Sequence, residues 1–240
     1  MYEYAFMGFL TYTQACNTGN IWSKALAIKQ VNQDKNAGGK KGPYKAGLER
    51  QKQILEAARQ LLVEEGGHNF SIRKVAKLVG ISPGNLQHHF ATRDELLSAM
   101  MDHVISEYLL SLEEMKICSD SPKAYLLSVI EFVTRDLCTK ETTVFFPELW
   151  SLSNHDENID ALMQNMYVDY RMIYQNTALQ INPSLTTEQC QNIGLFISSM
   201  IEGFTVFIGY KKPFTEKCDA MVKMIYNASI HAIESGEVPA

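Results

Sequence analysis

No stretch of this 240-residue chain approaches 18 consecutive apolar residues, so no transmembrane helix is expected. The first ten residues, Met1 to Leu10, hold Glu3 and no Lys or Arg, unlike a secretory leader. Glycine and proline are few, 14 and 7, which excludes collagen-like and low-complexity chains. The five cysteines (Cys16, Cys118, Cys138, Cys190, Cys218) are odd in number and scattered. None has metal-ligand or redox spacing, so they read as reduced thiols of a cytoplasmic protein. Also missing are a Gly-rich phosphate loop, a Gly-x-Ser-x-Gly elbow and a His-Glu-x-x-His pair. His88 and His89 are adjacent, which sets them about 100° apart on a helix and unfit to share a metal. No enzyme, cofactor or metal is expected. A surplus of basic charge is missing too: the net charge of −5 speaks, as a total, against nucleic acid.

The distribution of that charge says otherwise. Residues 1–110 carry 13 Lys/Arg against 10 Asp/Glu, and the remainder 9 against 17. Ser71 to Arg93 holds Arg73, Lys74, Lys77, His88, His89 and Arg93 without one Asp or Glu. Such a window suits phosphate binding, and equally a solvated basic face. Residues 1–44 differ in character. They end in Asn36-Ala37-Gly38-Gly39-Lys40-Lys41-Gly42-Pro43, a linker composition, and Ile21–Val31 has the spacing of a short amphipathic helix. The segment is expected to be a flexible N-terminal extension, with Met7 an alternative start.

From Lys45 the periodicity is helical throughout, and strand alternation is absent. Ile54, Leu55, Ala58, Leu61 and Leu62 make one apolar face, stopped by Gly66-Gly67. Ser71 N-caps a short helix that Gly80 ends, and Ser82-Pro83 starts another. Thr92-Arg93-Asp94-Glu95 fits a capping box opening a long helix. Further helices are expected over roughly Ser121–Lys140, Glu141–Ser153, Glu157–Gln180, Thr186–Gly209 and Thr215–Ser235, with Pro147 kinking one from inside. The fold class is all-α.

SIRKVAKLVGISPGNLQHHF, residues 71–90, has the form of a helix-turn-helix. Ala76 is small where two helices approach, Gly80 supplies a left-handed turn, and Ile81, Leu86 and Phe90 face a small core. The second helix then presents Pro83, Gly84, Asn85, Gln87, His88 and His89. Asn and Gln suit an adenine edge, His a base or phosphate, and Gly84 admits close approach. These residues, with ILEAARQLLVEEG before and ATRDELL after, resemble the tetracycline-repressor (TetR) family of bacterial transcriptional regulators from about Leu48 to Tyr108. The resemblance implies a dimer whose second motif helix enters the major groove. By position, Ser71, Arg73, His89 and Arg93 would contact phosphate, and Ser82, Pro83, Gly84, Asn85, Gln87 and His88 belong to the reading helix. Gln87 stands where the family most often has Tyr, which leaves base reading open to it. Arg50 and Lys52 are outlying phosphate candidates or a solvated helix end.

For the rest of the chain the resemblance implies a helical domain with an inducer pocket that pairs its last two helices with a second subunit. Met163, Met166, Tyr167, Tyr170 and Tyr174 form one soft aromatic stripe; Phe196, Met200, Phe204 and Phe207 form another. Either suits a pocket or plain core. Phe145-Phe146-Pro147-Glu148-Leu149-Trp150 would bring a carboxylate and aromatics inward. Glu148 and Trp150 could receive a cationic aromatic ligand, or Glu148 could pair with Arg135 or Arg171. Gly194, Ser198, Ile201 and Thr205 are spaced as a close-packing face, with Met221, Met224, Ile225 and Ala228 as its partner, and are the expected dimer interface.

The division expected is 1–44 extension, 48–108 DNA-binding domain and 111–240 ligand-binding and dimerisation domain. The function expected is a homodimeric repressor released from a palindromic operator in double-stranded DNA by a small, largely apolar inducer. Its rivals are an activator or organiser of the same fold without an inducer, and a helical protein-interaction adaptor.

Overall fold

The computed structural model describes residues 43–239, with side chains from Gly47. Of the extension expected over residues 1–44, the Ile21–Val31 helix and all but the last two residues therefore lie outside the described residues, and Pro43, expected in a linker, opens a helix. By its internal contacts the chain divides into two units, Met1–Gln51 and Lys52–Ala240. Of the first, only the opening of a helix is described; the second holds the motif, the cores and the cavity.

The fold is all-α, with no strand among the described residues. The helices, in chain order, are α1 Pro43–Glu65, α2 Ile72–Val79, α3 Pro83–Gln87, α4 Arg93–Cys118 and α5 Pro122–Asp136, then α6 Lys140–Ser153, α7 Glu157–Ile181, α8 Thr187–Gly203 and α9 Cys218–Ser235. In α1, Ile54, Ala58, Leu61 and Leu62 are buried at the spacing of one helical face. The motif is built by local capping. Ser71 Oγ accepts the Lys74 N–H, and Ser82 Oγ accepts the Asn85 N–H at 3.1 Å. Gly80 is left-handed, φ 73° and ψ 33°, and the N–H groups of Gly80 and Ile81 return to the Lys77 and Ala76 carbonyls. Val75, Ala76, Leu86 and Phe90 are buried behind that turn.

The helices enclose two apolar cores. The first joins α1–α4 with Phe145 and Leu149 of α6 and Ile159 and Met163 of α7. The second joins Leu112 and Met115 of α4 with α5, the later half of α7, α8 and α9. Helices α4 and α7 thus contribute to both.

Several expectations are corrected. The helix expected to reach Gly209 ends at Gly203, continuing as one 3₁₀ turn over Phe204–Val206. The next helix begins at Cys218, after a 3₁₀ turn over Thr215–Lys217. Helix α5 stops at Asp136, because Thr139 takes the N-cap of α6 by accepting the Thr142 N–H. At α4, Thr92 caps Glu95 as expected, but the Glu95 carboxylate accepts the Ala91 N–H at 2.8 Å, one residue before the position a capping box requires.

The largest correction concerns the expected dimer face. Gly194, Ser198, Ile201 and Thr205 are buried within their own chain, and so is Ile225. A Cβ on Gly194 would lie 3.0 Å from the Arg171 carbonyl oxygen and 2.7 Å from Gln175 Cγ. The small residue does admit a close approach, but the helix it admits is α7. Spacing records that a helix packs tightly and not which helix it meets. Met221 and Ala228 are half-buried, and of the eight only Met224 is largely exposed.

A Gly194→Val substitution would press a branched side chain on that carbonyl. It should lower stability to urea by about 2 kcal/mol or more, whereas Gln191→Ala, on the exposed side of α8, should stay within about 0.5 kcal/mol.

Candidate nucleic-acid interface and interior cavity

The surface around α3 is polar and open. Ser82, Pro83, Gly84, Asn85, Gln87 and His88 are exposed, and His89 is half-buried. A Cβ on Gly84 would meet nothing within 4 Å, so the backbone is bare at that point. Helix α3 ends at Gln87, with His88 as its C-cap, so the two histidines leave the helix as a turn and do not extend its face. The Gln87 amide reaches the Ala91 carbonyl at 3.5 Å. Ser71, half-buried, keeps its hydroxyl hydrogen available while Oγ caps α2.

Arg73 and Lys77 are exposed and make no ion pair among the described residues. Lys74 does: its ammonium lies 2.6 Å from Glu65, so the acid-free window in the sequence is answered across the fold by α1. Arg93 lies over the Phe70 ring, 5.8 Å from its centroid, and 3.4 Å from Asp94. These contacts hold its guanidinium beside the start of α4, at the edge of the α3 surface. The arrangement offers donors for phosphate at both ends and adaptable amide and imidazole groups between them.

A second feature lies between α4, α5, α6, α7 and α8: a cavity of about 80 Å³. Phe146, Met166, Tyr167 and Tyr170 line it, together with Ile105, Tyr108, Leu109, Leu112, Val133, Asp136, Leu137, Thr142, Asp169, Ile173 and Glu202. Six expected ligand residues are elsewhere. Glu148 accepts the Gly67 N–H at 2.7 Å, and so holds the turn after α1 and meets neither Arg135 nor Arg171. Arg135 instead pairs with Glu131 at 2.8 Å and Asp219 at 3.0 Å. Trp150 is one step behind the wall, its Nε1–H donated to the Tyr167 hydroxyl at 2.7 Å. Met163 is buried in the first core, Met200 and Phe204 pack against the second, and Phe196 is exposed.

The cavity's acids are absent from the sequence-based expectations, and they differ from one another. Asp136 is half-buried, and one of its oxygens accepts both the Tyr108 hydroxyl and, at 2.6 Å, that of Thr142. Burial pushes its carboxyl up, and the two hydroxyls counter this. Burial and Asp136 push the Tyr108 phenol up in turn. This trio ties α4, α5 and α6 together. Glu202 has one weak donor, the Tyr167 hydroxyl at 3.4 Å, and burial pushes its carboxyl up to about 7. The sequence does carry one signal for it: after Glu188 in the first turn it is the single charged residue of α8.

Glu56, His103 and Glu107 also converge, their donor atoms within 4.8 Å of one another. Arg59 already faces both carboxylates, at 3.8 and 3.9 Å, so the group works as a polar clamp between α1 and α4.

A capped helix-turn-helix with an exposed polar reading helix and a basic margin defines a DNA-binding protein. Known proteins agree: residues 54–100 match the family model described as bacterial regulatory proteins, tetR family. The HTH-type transcriptional regulator BetI of Pectobacterium atrosepticum is 24% identical over 157 residues, covering 64% of this chain and 79% of that protein. A putative transcriptional regulator of Pseudomonas aeruginosa PAO1 has a similar fold, with TM-score 0.65 and 17% identity over 78% of this chain and 91% of its own. So has one from Saccharomonospora viridis, solved in complex with choline, with TM-score 0.60 and 16% identity over 80% and 99%. Residues 54–100 thus match the DNA-binding region of the TetR family, and the chain is a DNA-binding transcriptional regulator. No described helix is long and apolar enough to cross a membrane.

The Glu202 carboxyl makes stability depend on pH. The folded chain holds its proton up to about pH 7, while the unfolded chain releases it near 4.5. The folded state therefore binds more protons between those values, and stability falls as pH rises through that window. Glu202→Gln should remove this slope. In urea titrations it should match the parent near pH 4.5 and exceed it by about 3 kcal/mol at pH 8.

Proposed function

We propose that this chain is a homodimeric repressor that leaves a palindromic operator when a small, largely apolar ligand enters the cavity between α4 and α8. In this reading residues 48–108 form the DNA-reading domain and 111–240 the ligand-holding and dimerising domain. The protein acts by binding alone, without catalysis, in the bacterial cytoplasm. The observation that carries the reading is the α3 surface: exposed Asn85, Gln87 and His88 on bare backbone at Gly84, between the cations Arg73 and Arg93.

Asn85, Gln87 and His88 face base edges in the major groove, with Ser82, Pro83 and Gly84 setting how closely the helix enters. Ser71, Arg73, His89 and Arg93 hold phosphates, and Lys77 joins them. The dimer contact moves to the apolar side chains left exposed on α8, the turn after it and α9: Leu195, Phe196, Val206, Phe207 and Met224. Exposed apolar side chains on these two helices and the turn between them suit a four-helix contact between two copies. The cavity supports a ligand because it is lined almost wholly by apolar and aromatic groups. The choline held by the Saccharomonospora regulator supports a small molecule in this fold.

The test begins with fragmented genomic DNA, enriched on the protein at two salt concentrations and sequenced. A short palindrome recovered at both identifies the operator. Asn85→Ala should then weaken operator binding by about 1–3 kcal/mol and relax one base position. Arg73→Ala should weaken all DNA alike and reduce the salt slope by about 1. Diffuse binding lost at the higher salt would favour an organiser, and no DNA at either salt would favour an adaptor.

A further inference from the structure

The cavity walls contain no Lys, Arg or His, and three carboxylates. That excludes an anionic ligand, whose charge would meet only like charge in a low-dielectric interior. The three acids are not equivalent. Asp136 already has two hydroxyl donors on one oxygen, and Asp169 is solvent-exposed. Glu202 projects from α8 with only the long Tyr167 hydrogen bond and no ion pair among the described residues. The rings of Tyr108, Phe146, Tyr167 and Tyr170 share the cavity with it.

We propose that the ligand of this cavity is a small monocation, an alkyl amine or quaternary ammonium, whose charge rests at the Glu202 carboxylate among the rings of Tyr108, Tyr167 and Tyr170. The inference rests on reading the cavity as the ligand site and adds the chemical class. A partly buried carboxylate without a cationic partner is costly in its ionised form, and here burial raises it to about 7. A cation supplies the missing charge. Aromatic rings attract it through their electron-rich faces, which suits a quaternary ammonium as well as an amine. The alkyl part takes the side of Leu109, Leu112 and Ile173. Those residues also border a second cavity of about 270 Å³ with Glu113 and Lys116 at its wall, a path by which a ligand would arrive.

Two matched pairs test this on the full-length protein by calorimetry and by release from its DNA. One pair is butylammonium and butan-1-ol; the other is benzyltrimethylammonium and 2,2-dimethyl-3-phenylpropan-1-ol. The cation of at least one pair should bind about 30-fold or more tightly than its neutral partner. Glu202→Gln should abolish that preference, and Glu202→Asp should keep part of it. Equal binding of a cation and its partner, binding by neither member of either pair, or a preference that survives Glu202→Gln would each overturn the proposal. Release separates it from the repressor reading. A cation that binds at Glu202 but leaves DNA in place supports the charge site and contradicts ligand release. A neutral partner that both binds equally and releases DNA does the reverse.

Discussion

Helix α4 runs for 26 residues, about 39 Å of stiff rod, and has a share in both cores of the chain. Leu96, Leu97, Met100, Met101 and Val104 pack with the helix-turn-helix, while Leu112 and Met115 pack with the later helices. Between them, Ile105, Tyr108 and Leu109 form one wall of the cavity, and the Tyr108 hydroxyl is donated to Asp136 of α5. A shift of that wall cannot be absorbed locally, because close-packed cores exchange discrete arrangements and do not deform continuously. In the proposed repressor reading it passes along α4 to the residues that hold α2 and α3. Occupancy of the cavity and the attitude of the reading helix are therefore two ends of one element, which is the physical requirement for coupling them.

What a sequence pattern encodes decides how far it can be read. The helix-turn-helix is legible almost to the residue, because Ser71, Gly80, Ser82 and Pro83 act on their own backbone and need no distant partner. The long helices are legible in number and order, but their ends less so: α5 stops where a competing cap at Thr139 takes over. Faces are harder. The Gly194–Thr205 series is a close-packing face, as its spacing says, yet its neighbour is not the expected second subunit. Burial against α7 and burial against a second copy ask for the same small residues. Glu148 lies beside two aromatics in sequence, which suggests a ligand for its carboxylate. It serves instead the Gly67 N–H, 81 positions away, a contact that no local pattern announces.

Charge shows the same dependence on long-range placement. The chain is acidic overall, yet Arg73, Lys77, His88 and Arg93 sit around one polar helix, so the net sum conceals a basic margin. The pairing of Lys74 with Glu65 reduces that margin by one charge and fixes α2 against the end of α1. In the interior, Asp136 and Glu202 are both half-buried acids and have different roles. One is satisfied by two hydroxyls and fastens three helices; the other keeps an unmet demand for positive charge and faces the open space. The first stabilises the frame, and the second gives the cavity its chemical preference.

The central claim is that the cavity and the reading helices move together, and the distance between the two reading heads of a dimer tests it most directly. A nitroxide carried by an unnatural amino acid at exposed Leu78 would report that distance by pulsed electron resonance, without DNA, with operator, and with operator plus a bound ligand. Operator should narrow the distribution to one value, since the recognition helices must then meet half-sites about 34–36 Å apart. A ligand that releases DNA should shift it by several ångströms away from that value. An unchanged distance distribution on ligand-driven release would contradict the account, because the heads would then let go without the motion that α4 is built to pass on.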